Sequence, residues 1–146
     1  MKLVIDRFID EYAFLSNFAP CKIEYDGRTF PTVENAYQSA KCAVEADIDR
    51  FQYISAGDAK RLGRKVLLRE DWENVKLSVM EDLLRRKFSN IKFKELLLDT
   101  GDVTLIEGNT WNDTFWGICN GVGENNLGKL LMKIRDEIRK GIEDYE

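Results

Sequence analysis

The sequence predicts an α+β fold that is predominantly helical, with a few short strands and one β-hairpin. Three observations carry this. Apolar residues recur at helical spacing through most of the chain after residue 30. Asp26-Gly27 stands between two alternating runs, a strong hairpin signal. "VTLIEG" (103–108) alternates as a strand does. With 146 residues, 44% of them hydrophobic and only two prolines, the chain suits a single domain spanning 1–146. No repeat, low-complexity tract or linker interrupts it.

The elements follow in order. Residues 2–9, with Leu3, Val4, Ile5 and Phe8, read as a short strand. "FLSNFAP" (14–20) has no clear period and reads as a loop packed by aromatics. "KIEYDGRTF" is the hairpin. Thr32 is an expected N-cap for a helix running to about Glu45, with Glu34 in its first turn, where a carboxylate suits the helix dipole. "DIDRFQYISA" and "DAKRLGRKV" read as two short helices broken at Gly57. Asp71 is the expected cap of a longer helix whose Val75, Val79, Leu83 and Phe88 form a core stripe with Met80 and Leu84. "IKFKELLLDTG" is a helix closed by Gly101. "NTWNDTFWGICNGVGEN" is an irregular loop, and the last helix runs from about Asn126 to Ile142, with Leu127, Leu130, Leu131, Ile134 and Ile138 inward.

Composition narrows the chemistry. There are no histidines, so serine–histidine and cysteine–histidine triads and histidine metal sites are excluded. Acid–base work falls to Asp, Glu, Lys, Tyr or Cys. The formal charge of −4 argues against a protein that coats nucleic acid through its overall field, though not against a local basic pocket. The three cysteines form no C-x-x-C pair, which fits a reducing, cytoplasmic setting. No apolar run approaches a membrane span, and the charged N-terminus is unlike a signal peptide.

Four constellations could carry function. In "FPTVENAYQSAK" (30–41), Glu34, Gln38 and Lys41 fall within roughly 60° on a helical wheel, beside the apolar stripe of Val33, Ala36, Ala40 and Val44, with Tyr37 at the border. That edge is either a solvated face or the wall of a site. "NGVGENNLGKLLM" joins glycines to a helix start. It is either a phosphate cradle of free backbone N–H groups or a turn that needs positive φ at Gly121 and Gly123. "AKRLGRK" (59–65) reads as a solvated face at Lys60, Arg61 and Lys65. Arg64, following Gly63, could meet a phosphate in bidentate fashion. In "WNDTFWG" (111–117), Asp113 sits among Trp111, Phe115 and Trp116. Such a loop offers a stacking platform and a negative charge for a developing cation, or it is core in which the carboxylate needs a partner.

Several stretches in one order, "FLSNF" (14–18), "FPTVENAYQSAK", Gly63-Arg64, "DWENVK" (71–76), "LRRKF" (84–88), "NDTFWG" (112–117) and "GVGENNLGKLLMKIR" (121–135), make the chain resemble the NADAR (YbiA-like) family over nearly its whole length. The resemblance implies an enzyme, an N-glycosidase acting on phosphorylated ribose compounds. Its substrates would be ribosylamino-pyrimidine intermediates of riboflavin synthesis, or ADP-ribose attached to guanine in nucleic acid. It implies no metal and no cofactor. A non-catalytic NAD or ADP-ribose sensor using the same pocket is the rival reading.

Cleavage of a C1′–N bond builds positive charge at C1′, so carboxylates facing that charge are the expected tools. On this reading Glu34 is the principal acid–base residue, and Asp113 stabilises the cation or holds ribose hydroxyls. Lys41 lies about 10 Å along the same edge. It either attacks C1′ of the opened sugar as a neutral amine or stays cationic and binds a phosphate or the leaving group. Trp72 and Trp116 are candidates for stacking on the base, and Tyr37 and Gln38 for lining the pocket. Asn17 and Asn125 would hydrogen-bond ribose or phosphate, while Arg64 with Gly121 and Gly123 would hold the phosphate end.

Overall fold

A computed structural model of the protein describes residues 3–145. Met1, Lys2 and Glu146, which the sequence reading places in the first strand and the domain, lie outside the described residues. The chain divides into two compact units: one runs up to Ser16 and resumes at Asn90, the other is Asn17–Ser89.

The first unit is built on short parallel pairings. Strand β1 (Val4–Ile5) lies beside β4 (Thr104–Leu105). Strand β5 (Gly108–Asn109) lies beside β6 (Ile118–Cys119). Asp10–Leu15 form a 3-10 helix, so Phe14 and Leu15, expected in a loop, are helical. Helix α5 is Ile91–Asp99, N-capped by the Asn90 side chain and followed by Gly101 at φ +64°, as expected of a helix stop. Helix α6 is Asn126–Tyr145. It buries Leu127, Leu131 and Ile134 against a core that includes Ile5, Leu15, Leu97 and Leu105. Leu130 and Ile138 sit at the margin of that face, half-buried.

The second unit contains the hairpin and α1–α4. Strands β2 (Ile23–Tyr25) and β3 (Arg28–Phe30) pair antiparallel, Tyr25 opposite Arg28. Asp26 and Gly27 both have positive φ, 52° and 76°, the type I′ geometry that Asp-Gly favours because glycine carries no Cβ to clash. Helix α1 (Val33–Ala40) starts at Thr32, whose hydroxyl accepts the Asn35 amide at 3.1 Å. It ends five residues before the expected Glu45. The backbone from Lys41 to Ala43 turns instead to residues 67–69. Arg69 N–H donates to Lys41 C=O and Ala43 N–H to Leu67 C=O, both at 2.9 Å, and Cys42 bridges Leu68.

Helices α2 (Glu45–Arg50) and α3 (Ala56–Leu62) are separated ahead of the expected breaker. The Ser55 hydroxyl caps α3 by accepting the Asp58 amide, and Gly57 lies inside its first turn. Asp71 occupies the N-cap position of α4 (Trp72–Lys87), but its side chain makes no cap bond. Both carboxylate oxygens go to Arg69, at 2.6 and 3.0 Å. A bidentate charged pair competes well with a single amide. Helix α4 buries Val79, Met80, Leu83, Leu84 and, fully, Lys87. Burial pushes the Lys87 amine down to about 8, with the nearby Cys21 thiol opposing.

Candidate active site

Helix α1 is buried along nearly its whole length, not only on its apolar stripe: Val33 through Ser39 are all enclosed. Its backbone is satisfied internally, so its buried polar side chains must find partners among themselves or elsewhere. Asn35 finds them in the backbone. Its Nδ2 donates to the carbonyls of Phe51 and Ile54, at 2.9 and 2.8 Å, which ties the connection between α2 and α3 to α1. No signal in the sequence marks this role, because an asparagine at that position is equally at home on a surface.

Glu34 is held at the helix start through both its backbone and its carboxylate. Its N–H donates to the Asn17 carbonyl at 3.0 Å. One carboxylate oxygen accepts Gln38 Nε2 at 2.8 Å, one helical turn on, with the two residues only 8% and 6% exposed. Gln38 and Glu34 are therefore a coupled pair, as their wheel positions suggested. The Gln38 side-chain oxygen Oε1 and the Asn17 side-chain oxygen Oδ1 are buried without a hydrogen-bond partner among the described residues. The Asn17 side-chain amide donates to Met80 Sδ, at 3.6 Å. Two unmet acceptors in one unit are unusual, since each carries a desolvation cost that a ligand donor would relieve.

Lys41 caps the C-terminal end of α1, half-buried, and its Nζ donates to the Gly63 carbonyl at 3.4 Å. Burial lowers its pKa, Glu34 works against that shift, and the positive charges of Arg64 and Lys76 add to it. The neutral amine is favoured relative to an ordinary lysine. Arg64 follows Gly63 and is exposed, so its guanidinium is accessible to an anion. Tyr37 packs its ring on Trp72, centroids 5.2 Å apart and planes tilted by 53°. Trp72 is 5% exposed. That corrects the expectation of a base-stacking indole: Trp72 has no open face and instead backs Tyr37.

The structure thus brings Asn17, Glu34, Tyr37, Gln38, Lys41 and Arg64 into one unit. Asp113, Trp116, Gly121, Gly123 and Asn125 belong to the other. There Asp113 organises its own loop: Oδ1 accepts the amides of Phe115 and Trp116 at 3.2 and 2.8 Å, and its N–H donates to Asn109 Oδ1 at 3.0 Å. The half-buried ring of Trp116 meets that of Phe115 edge-on at 4.8 Å.

Two further expectations are corrected in this loop. Asn125 is not available to a sugar or phosphate. Its Oδ1 accepts the Glu107 amide and its Nδ2 donates to the Leu105 carbonyl, both at 3.0 Å, so both ends of the side chain are spent on backbone. The start of α6 is likewise no open phosphate cradle. The amides of Glu124, Asn125, Asn126 and Leu127 donate to the carbonyls of Thr114, Gly117, Phe115 and Trp116 respectively. The glycines serve the turn instead. Asn120 and Gly121 have φ of 52° and 77° between Cys119 and Val122, which bond each other. Gly123 presses on the Gly117 carbonyl, where a Cβ would come within 2.1 Å.

A buried, hydrogen-bonded carboxylate one helical turn from an amide, with a desolvated amine farther along the edge, is equipped for proton transfer and for nucleophilic attack on a carbonyl-like carbon. The chain matches the model of the NADAR domain over residues 6–139, across both units. It belongs to the NADAR family. It is 40% identical over 134 residues to N-glycosidase YbiA of Shigella boydii, covering 88% of this chain and 83% of that protein. A riboflavin biosynthesis protein of Vibrio vulnificus is 35% identical over 136 residues, a match covering 90% of this chain and 37% of that longer protein. The NMR structure of the Escherichia coli protein YbiA superimposes with a TM-score of 0.84 and 37% identity, over 100% of this chain and 90% of the other. Fold and family agree with the α+β, mainly helical expectation. No helix among the described residues is long and apolar enough to cross a membrane.

Proposed function

We propose that this chain is a hydrolase of N-glycosyl bonds whose substrate is a phosphorylated ribosylamine, specifically a ribosylamino-pyrimidine phosphate. The observation that carries the reading is the Glu34 carboxylate, enclosed and oriented by Gln38. Relatives named N-glycosidases support the reaction type. The relatives named for riboflavin biosynthesis support the pyrimidine class over ADP-ribosylated guanine in nucleic acid. The charge of −4 also favours a small metabolite over a polyanion.

In this reading Glu34 exchanges protons with the ribose and with water. Lys41, its neutral form favoured by burial, attacks C1′ of the ring-opened sugar. The C1′–N bond to the pyrimidine amine breaks as that nitrogen takes a proton, leaving an imine on Lys41. Water then hydrolyses the imine, returning the free amine and the sugar phosphate aldehyde. Arg64 binds the phosphate. The three free cysteines support a reducing, cytoplasmic setting.

The test is to incubate the protein with a ribosylamino-pyrimidine phosphate and, separately, ADP-ribosylated guanosine, and follow base release by liquid chromatography and mass spectrometry. Release from the first supports the proposal, and release only from the second moves the substrate to ADP-ribosylated nucleic acid. Binding of either without release points to a nucleotide sensor. Borohydride added during turnover should trap a protein–sugar phosphate adduct that peptide mapping places on Lys41. An active Lys41→Arg variant, with no adduct on the wild type, would reduce Lys41 to a binding charge.

A further inference from the structure

We infer that Gly63 is a positioning residue for both reacting groups, holding Glu34 through Gln38 and Lys41 through its own carbonyl. The inference rests on the roles given to Glu34 and Lys41 above.

Gly63 ends α3 with its backbone in the ordinary right-handed region, φ −59° and ψ −20°. Any residue adopts that conformation, so nothing in the backbone requires glycine here. What requires it is the Gln38 side chain. A Cβ on Gly63 would fall 2.0 Å from Gln38 Oε1 and 2.8 Å from Cδ. Oε1 has no hydrogen-bond partner. The Gln38 amide is therefore fixed from two sides: Nε2 by its bond to Glu34 at 2.8 Å, Oε1 by close contact with Gly63. Take away the room at Gly63, and the amide must leave the one position from which it reaches the Glu34 carboxylate.

The other face of the same residue meets the amine. Gly63 C=O accepts Lys41 Nζ at 3.4 Å. The Gly63 N–H donates to Ala59 C=O at 2.9 Å, which fastens the residue to α3. One residue thus touches the partner of the carboxylate and the amine itself. It fixes the span between Glu34 and Lys41 from α3, an element that carries neither group.

The test is a double-mutant cycle on the full chain, assayed with whichever of the two compounds above it cleaves. Gly63→Ala should lower kcat about 10- to 100-fold with KM changed by less than about threefold, because an orienting contact acts on the reacting geometry more than on binding. Gln38→Ala should cost a similar factor. The double variant should turn over within about threefold of Gln38→Ala, because with the amide gone the nearest neighbour of the new Cβ is the Ala59 carbonyl, at 3.2 Å, a contact with neither reacting group. If Gly63→Ala alone fails to fold, the double variant must fold and behave as Gln38→Ala. Equal losses from Gly63→Ala in both backgrounds, or near-normal kcat in Gly63→Ala, overturn the inference. Glu34→Gln run alongside separates the failures. Near-normal turnover there overturns the reading of Glu34 together with this inference. An inactive Glu34→Gln with an additive cycle overturns this inference alone.

Discussion

Helix α1 and the loop from Glu107 to Asn126 are both rich in polar side chains, and they use them in opposite ways. In the loop, Asn109, Asp113, Asn125 and Asn126 each bond backbone groups of the same segment or of β4 beside it. An irregular path leaves its own N–H and C=O groups unpaired, and local side chains close the account. In α1 the helix pairs its own backbone. Glu34 and Gln38 are then left to bond each other, and Gln38 keeps an unmet acceptor. Asn35 and Ser39 still serve backbone carbonyls from within α1, but the regular helix leaves Glu34 and Gln38 free of that work, whereas the irregular loop consumes its polar side chains.

That contrast is broken or sharpened by three substitutions. The largest effect is expected for Glu34→Gln: turnover should fall by at least ~10², the range for losing an acid–base group, with the urea midpoint nearly unchanged. A normal rate would put Glu34 among the structural polar residues of the loop. Asn125→Ala should do the reverse, costing about 2–4 kcal/mol of stability for two backbone bonds and a left-handed backbone, φ 54°. Turnover per folded molecule should stay within about threefold. Unchanged stability in urea titration would show that the loop does not depend on its asparagine. The smallest effect overall is expected for Asp113→Asn. It keeps an Oδ1 acceptor for the Phe115 and Trp116 amides and should cost less than about 1 kcal/mol. A turnover loss at that intact stability would assign the Asp113 charge to the reaction.

The legible parts of the molecule were those in which one residue type answers one local demand. Asp26-Gly27 signalled its turn because both positions need positive φ, and Thr32 signalled its cap because the hydroxyl has an amide within reach. Elements decided by distant partners were not legible. The apolar period of α1 runs on through Val44, yet the helix stops at Ala40 because residues 67–69 claim its backbone. Asp71 looked like a cap, and Arg69 took it. The wheel placed Glu34, Gln38 and Lys41 on one edge, and the structure supplied what no spacing carries: the Gln38 bond, the Gly63 contact and the burial that lowers the amine. Gly121 and Gly123 looked like a cradle because glycine serves turns and anion sites alike. Only the carbonyls of residues 114–117 reveal which.

The buried lysine of α4 has a consequence for proton traffic. Lys87 gives up its proton near 8 when folded and at about 10.5 when the chain is unfolded. Between those values the unfolded chain holds more protons than the folded one, so folding expels part of a proton into solution and stability rises with pH. Below about 8 both forms are charged, and the fold bears the whole cost of an enclosed ammonium. This contribution is therefore largest in alkaline solution, where the Cys42 thiol, pushed up to about 11 by burial, works against it.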